Sequence, residues 1–247
     1  MRIDLLWLPA WLTVCLTLWP AQSSLAQTVL TSPAARVQLL ELYTSEGCSS
    51  CPPADKWLSQ LRRAPGLWTE IVPVAFHVDY WNYLGWRDQL ADSRFSERQR
   101  RYRRSGGVKS VYTPGFVVGG REWRGWFQRR PLPQAEPAPV GVLAVTVTDN
   151  RYRAQFTRAD GVAARPLELY VALLGMDLKT DIKRGENRGR RLTHDFAVLG
   201  LSRRPAGEAW TGTLPQRDPG GSYGLAAWVS PVGELTPVQA VGGYLPP

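Results

Sequence analysis

Sulfur is scarce in this chain, with three cysteines in 247 residues. That excludes the disulfide-dense scaffolds that hold small exported domains together. Histidine is scarcer still. His77 and His194 are the two in the chain, and neither lies close in sequence to a cysteine, so no local zinc-type spacing exists. The apolar run Leu5 to Leu18 is too short, and too soon followed by Pro20, to favour a membrane span, with a retained amino-terminal anchor as the alternative. Acidic residues are in deficit, 21 against 30 basic ones, giving a formal charge of +9. Disorder is excluded by 44% apolar and 11% aromatic residues, and the length suffices for a substantial core in one large or two modest domains.

The amino-terminal segment reads as an address. Arg2 supplies positive charge, the apolar run follows, and Ser24-Leu25-Ala26 is a small-x-small cleavage signal. This predicts a secretory signal peptide over 1–26, cut before Gln27, and an exported mature protein, periplasmic or extracellular. Leu12-Thr13-Val14-Cys15 is no lipidation site, because Val14 fits poorly before a lipidated cysteine and apolar residues continue beyond it. Removal of the signal takes Cys15 with it, and the charge is unchanged because Arg2 and Asp4 leave together. The mature chain then keeps Cys48 and Cys51 alone. A two-residue loop constrains the unfolded chain very little, so this pair is a poor staple, and redox chemistry is the stronger reading.

The setting of the pair supports it. Val37 to Tyr43 is an apolar run of strand length broken only by Glu41, and Thr44-Ser45-Glu46-Gly47 is a polar turn. Cys48-Ser49-Ser50-Cys51 follows. After Pro52-Pro53, which fit only the first turn of a helix, Trp57, Leu58 and Leu61 mark one helical face. A C-x-x-C at the opening of a helix gains from the helix's free N–H groups and positive dipole end, which stabilise a thiolate on Cys48.

Ile71 to Val78 is a second strand. Strand, helix and strand imply a right-handed parallel crossover, with the ligand edge beyond the strands' carboxyl ends. Asp79, just past that end, is the candidate acid to pass protons to a buried cysteine, and Tyr80, Trp81 and Trp86 are candidates to wall the site. His77 reads as a hydrogen-bonded core residue. Asp88 to Arg104 predicts an inserted helical region with Phe95, Gln99 and Tyr102 on one face and the arginines covering the rest. Val111 to Gly120 predicts a strand entered through Thr113-Pro114 and left by a Gly-Gly hairpin turn; a cis bond there would set backbone polar groups against the cysteines.

Four prolines between Pro131 and Pro139 exclude a helix and mark a boundary. Beyond it, Val142–Thr148, Tyr152–Thr157, Leu167–Leu174, Ala209–Leu214 and Leu225–Ser230 alternate or run apolar, predicting a mostly antiparallel β domain, a possible sandwich. Lys183 to Arg190 reads as a polar loop with two glycine bends, a structural turn or a partner contact. The domain expectation is a signal at 1–26, an α/β domain at 35–130 with a helical insertion near 80–105, a linker at 131–140 and a β-rich domain at 141–247.

These pieces together carry a resemblance. The strand, the C-x-x-C and the later Thr-Pro strand resemble the thioredoxin-like superfamily. LYTSEGCSSCPPAD, AFHVDYWNYLGW, VYTPGFVV and RGENRGRRLTHD resemble a family of exported bacterial proteins known as a domain of unknown function with a thioredoxin-like core. The resemblance implies a mixed sheet with flanking helices, Cys48 as attacking and Cys51 as resolving thiol, Pro114 as a cis-proline facing them beside Thr113, and Glu41 as the buried acid.

The expected function is exported thiol–disulfide exchange through a mixed disulfide, needing no cofactor and no metal, on protein or small-molecule thiols and disulfides. The basic clusters at Arg94–Arg104 and Lys183–Arg191 suggest anionic envelope surfaces or acidic partners before nucleic acid. The rivals are a copper- or zinc-binding module using the same cysteines with His77 or His194, and a non-catalytic binding protein with an inert pair.

Overall fold

The computed structural model describes residues 27–135 and 138–246, so the expected signal peptide lies outside the described residues. The first half contains β1 (Gln27–Thr31), β2 (Gln38–Thr44), α1 (Pro52–Gln60), β3 (Ile71–His77), α2 (Ser93–Arg104), β4 (Gly115–Val118) and β5 (Arg121–Glu122). The second contains β6 (Gly141–Thr148), β7 (Arg151–Arg158), β8 (Leu167–Met176), β9 (Leu178–Asp181) and β10 (Arg191–His194). It ends with β11 (Ala197–Gly207), β12 (Ala209–Thr213), β13 (Ser222–Pro231) and β14 (Gln239–Leu245). The protein is mixed α/β and mostly strand. No helix among the described residues is long and apolar enough to cross a membrane.

β2 and β3 are buried along nearly their whole length, as continuous apolar runs in a parallel pair must be. They pair in parallel over seven positions, from Gln38 opposite Ile71 to Thr44 opposite His77. α1 makes the crossover, with prolines at its first two positions. It tightens into a 3₁₀ turn at Leu61–Arg63, and Ala64 turns extended before Pro65, where the proline ring disfavours helix. β4 adds antiparallel to β2, and the Gly119-Gly120 turn, both glycines at positive φ, hands β4 to β5.

The sheet does not stop at β3. Its order is β14-β13-β8-β11-β3-β2-β4-β5, so strands from both sides of the proline-rich stretch share one eight-stranded sheet. Within this sheet the two halves meet at a narrow seam, one parallel pair between Ala75 and Ala197, where the Ala75 N–H donates to the Phe196 carbonyl at 2.8 Å, while β1 pairs with β6 over five positions in another sheet. The boundary expected at 131–140 is therefore not a break in the sheet.

Period-two alternation in β8 builds two cores at once. Tyr170, Ala172, Leu174 and Met176 face the core that β2, β3, α1 and α2 share. Leu167, Leu169, Val171 and Leu173 face a second core closed by the antiparallel sheet β1-β6-β7-β12. β6 and β7 alternate buried and open positions as one-sided strands should.

α2 starts at Asp92, whose carboxylate accepts the Arg94 N–H at 2.8 Å. Phe95, Gln99 and Tyr102 face inward as expected, but so does Arg98, 4% exposed, correcting the expectation that the arginines only cover the helix's outer faces. The reason lies on β2. Glu41, fully buried, takes Arg98 Nε at 2.7 Å and Nη2 at 2.9 Å. Tyr43 and Tyr102 hydroxyls donate to the same carboxylate at 2.8 and 2.5 Å. The guanidinium also lies 5.3 to 5.5 Å from the ring centres of Trp228, Tyr170, Tyr102 and Phe76, two of them on strands beyond the seam.

Arg98 thus ties α2, β2, β8 and β13 together. Replacing it leaves Glu41 as an unpaired buried charge, so Arg98→Met should cost about 3–5 kcal/mol in urea unfolding. The double variant Glu41→Gln/Arg98→Met should lose clearly less than the sum of the two single losses. Additive losses would show that the two side chains are energetically independent.

Candidate functional site

The parallel register sets the site. With Thr44 opposite His77, and the Val78 N–H donating to the Thr44 carbonyl at 2.8 Å, the turns after β2 and β3 open on one sheet edge. The first turn carries the cysteines. Cys48 and Cys51 form a disulfide with their Cα atoms 5.5 Å apart. Cys51 is fully buried, Cys48 is 3% exposed, and Ser49 and Ser50 between them are exposed. Cys48 Sγ lies 3.3 Å from the Ser50 hydroxyl and 3.9 Å from the Thr113 carbonyl oxygen. The Thr113–Pro114 bond is cis. The Trp81 indole N–H donates to the Thr113 hydroxyl at 2.7 Å. A Cβ at Gly47 would stand 3.1 Å from Trp81 Cβ and 3.2 Å from its carbonyl oxygen, so this close approach favours glycine before Cys48. Cys48, Thr113 and Trp81 are therefore brought to one place.

The expectation of free N–H groups at the helix start meets an obstacle. Pro52 and Pro53 have none, and the N–H groups of Ala54 and Asp55 both bond to the Cys51 carbonyl. The Cys51 N–H bonds to the Cys48 carbonyl, and that of Cys48 to Ser45. The Ser50 hydroxyl and the dipole of α1 remain to favour a thiolate at Cys48.

The other expected site residues are braces rather than partners of the sulfurs. Tyr80 donates to Gln99 at 3.0 Å, and Gln99 donates to the Tyr112 carbonyl at 2.7 Å, holding the chain just before Thr113. Trp86 donates to Glu46 at 2.8 Å. Asp79 accepts from Ser96 on α2 at 2.5 Å, and Glu41 is committed to Arg98 and two tyrosines. The contacts of both acids run to α2 and their own strands, and none reaches the cysteines.

Two features were not anticipated from the sequence. The first is the loop between β9 and β10, which closes over the cysteine turn. Asn187, 1% exposed, donates from Nδ2 to the carbonyls of Glu46 at 2.8 Å and Cys48 at 2.9 Å. The Glu186 carboxylate accepts the Ser49 N–H at 3.0 Å, and hydrogen bonding from the Ser49 hydroxyl and then its N–H holds the Glu186 pKa below the ordinary glutamate value. Gly185, at φ +74°, lies where a Cβ would be 3.1 Å from Trp86 Cβ. The two glycine bends were the available signal that this stretch has a fixed shape.

The second is a buried polar cluster beneath the turn that gathers both histidines. Their rings lie edge to face, 4.7 Å apart. His77 Nδ1 is 2.7 Å from Asp88, whose carboxylate also accepts the N–H groups of Glu46 and Leu90 at 2.9 Å each. His194 Nε2 is 3.3 Å from Glu46, and Thr44 donates to Asp55 at 3.1 Å. Burial alone would lower His77, but the Asp88 charge and hydrogen bond, with Asp55 and Glu46 adding, lift it to about 9. Burial would raise Asp88, yet His77 and the two N–H groups hold it below the usual carboxylate range. Burial raises Asp55 against the pull of His194, His77 and Thr44. His194, Asp55 and Pro52 border a cavity of about 360 Å³ on the α1–β10 side, whose lining does not include Cys48, Thr113 or Trp81. Among the described residues, no group of three or more His, Cys, Asp or Glu side chains is placed to hold a metal ion.

The fold and site define a mixed α/β protein carrying a disulfide at the turn from a buried strand into a helix. Residues 39–229 match the model of the family described as protein of unknown function (DUF1223), and the chain belongs to that family. Protein AGR_C_4864 from Agrobacterium tumefaciens is 25% identical, with a TM-score of 0.60 over 85% of this chain and 94% of that one. HBP35 of Porphyromonas gingivalis, 12% identical, shares the fold alone, with a TM-score of 0.53 over 85% of this chain and 76% of that one. None of the curated proteins compared matches the chain.

Because Asn187 satisfies two carbonyls of the cysteine turn, Asn187→Ala should cost about 1–3 kcal/mol and speed amide hydrogen exchange at Gly47–Ser50. Unchanged exchange there would show that the loop does not hold the turn. His77 gives a pH dependence. Its folded pKa, about 9, exceeds its ordinary 6.5, so its stabilisation is complete below about pH 6.5 and is lost as pH rises through 9. Asp88, lowered from 3.8, acts oppositely, stabilising above that value and fading as pH falls through its folded pKa. Urea unfolding should weaken from about pH 6.5 to 9 in the parent protein, and His77→Asn should remove that slope.

Proposed function

We propose that this protein is an exported thiol–disulfide oxidoreductase of thioredoxin-like type. The observation that carries the reading is the Cys48–Cys51 disulfide at the mouth of α1, with Cys48 the more open sulfur and the Thr113–Pro114 cis bond beside it. Export rests on the signal-like composition of residues 1–26. Thr113 and Trp81 form the wall a substrate would meet, and Tyr80 and Trp86 fix that wall and the cysteine turn.

A thiolate of a substrate dithiol attacks Cys48 Sγ, the Cys48–Cys51 bond breaks, and Cys51 leaves as a thiolate that takes up a proton. The second substrate thiol, deprotonated, attacks the substrate sulfur of the mixed disulfide and displaces Cys48. The substrate is oxidised to a disulfide, and the protein is reduced by two electrons. The reverse sequence, with Cys48 attacking a substrate disulfide and Cys51 resolving the adduct, reduces the substrate instead. Cys51, fully buried, is suited to be the leaving thiolate in the first direction and the resolving thiol in the reverse.

Less supports the use of the same sulfurs to hold copper or zinc. His77 Nδ1 is engaged by Asp88, His194 lies against Glu46, and no third ligand joins the cysteines among the described residues.

Purified protein, oxidised or reduced, should exchange with a model dithiol or disulfide peptide. Cys48→Ala should abolish exchange, and Cys51→Ala should accumulate a mixed disulfide visible by mass spectrometry. A parent protein that exchanges with neither partner is not an oxidoreductase.

A further inference from the structure

The loop that closes over the cysteine turn sorts its charges. Residues 183–191 hold Lys183, Arg184, Arg188, Arg190 and Arg191 against one acid, Glu186. That acid is turned to the backbone, where it accepts the Ser49 N–H. Arg191 lies 3.5 Å from Asp181, and Arg190 donates to the neutral Asn187 amide at 3.1 Å. Lys183, Arg184 and Arg188 are exposed, and their side chains make no ion pair or hydrogen bond among the described residues. On the basic segment of α2 most cations have acids beside them: Arg98 is buried on Glu41, Arg94 pairs with Asp92, Arg104 pairs with Glu97 and Arg100 lies 4.0 Å from it, while Arg103 is exposed without such a partner among the described residues. Unpaired positive charge is thus held where Asn187 and Glu186 bond to residues 46–49, on the same short loop as both anchors.

We infer that Lys183, Arg184 and Arg188 recruit the substrate of this site, and that the substrate is an acidic polypeptide segment bearing the thiol or disulfide. The inference rests on the oxidoreductase reading. The cations are spread along a loop, and neither Arg184 nor Arg188 lines any of the larger cavities, which suits charge distributed along a chain better than a small anion. A field of this kind acts by steering encounter and holding register, and salt screens it.

The test uses two disulfide peptides that differ only in flanks of Asp and Glu or of Lys and Arg. The parent protein should exchange with the acidic peptide at least about tenfold faster at low salt, and the difference should collapse near 0.5 M salt, where the screening length is only a few ångströms. Arg184→Glu/Arg188→Glu should lose or invert the preference. Arg103→Glu/Arg121→Glu, which makes the same change in net charge at exposed positions outside this loop, should keep it. Equal rates on the two peptides, or a preference that survives the first double variant, would overturn the inference.

A cysteine-free acidic peptide, followed by fluorescence anisotropy, separates recruitment from chemistry. Binding that depends on Arg184 and Arg188 without any exchange overturns the redox reading and leaves the docking surface standing. Exchange without such binding overturns the inference and leaves the redox reading standing. Salt-sensitive binding of phosphatidylglycerol vesicles through the same two arginines, with no peptide preference, would assign the loop to a membrane surface and overturn the inference.

Discussion

The in-register parallel pairing of β2 and β3 is the constraint on which the rest depends. It is an accounting consequence of burial. Both strands are covered on both faces, so their backbone groups must find partners in the sheet; seven consecutive pairs satisfy those on the shared side, and β4 and β11 take others on the outer sides. Once Thr44 stands opposite His77, the chain must leave both strands at one edge. The cysteine turn, the aromatic stretch Tyr80–Trp86 and the opening of α1 are then neighbours by geometry. β4, antiparallel on the other side of β2, brings Thr113–Pro114 to the same edge. A slip of one residue in β2 would turn Glu41 away from Arg98 and carry the cysteine turn away from Thr113.

Buried charge does two different jobs here. At Glu41 and Arg98 both charges are matched, hydrogen-bonded and surrounded by aromatic rings, and the pair fixes how α2 sits on the sheet. Beneath the cysteine turn the charges are only partly matched. His77 is held by Asp88, while both ring nitrogens of His194, His77 Nε2 and Glu46 Oε1 find no hydrogen-bond partner among the described residues. A polar group left open in a low-dielectric interior is unfavourable, so such a cluster is ill suited to stabilising the fold alone. The cluster joins the cysteine turn through Glu46, whose N–H donates to Asp88 and whose carboxylate accepts the Trp86 indole N–H.

Much of the site was legible because its signals are local. The C-x-x-C after a buried run, the paired prolines, the Thr-Pro entry to β4 and the Gly-Gly turn each carry a backbone requirement that few residues satisfy, and each is found where expected. The glycine bends of 185 and 189 were equally readable as a shaped loop, but the partner of that loop was not. Asn187 bonds to carbonyls about 140 positions earlier, and nothing in the local pattern of either stretch names the other. Arg98 was misread for the same reason. On a helix carrying six arginines, the one that turns inward is chosen by Glu41, a residue 57 positions away. The seam between β3 and β11 is a third case. One alanine pair joins β3 to β11 in the eight-stranded sheet, and a single pair leaves no periodic trace.

The prolines also bear on how a thiolate could be held. A helix that opened with ordinary residues would offer several N–H groups to Cys48, whereas Pro52 and Pro53 remove two, and Ala54 and Asp55 spend theirs on the Cys51 carbonyl. The same prolines set the first turn and fix the disulfide's place at its mouth. What the backbone no longer donates must come from the Ser50 hydroxyl, the helix dipole and the surrounding field. The loop that Asn187 and Glu186 pin to this turn carries Lys183, Arg184 and Arg188, exposed cations without a partner among the described residues. A thiolate at Cys48 would be formed beside a cationic loop rather than inside a ring of amides. Its stability would then depend on ionic strength in a way that buried hydrogen bonds do not.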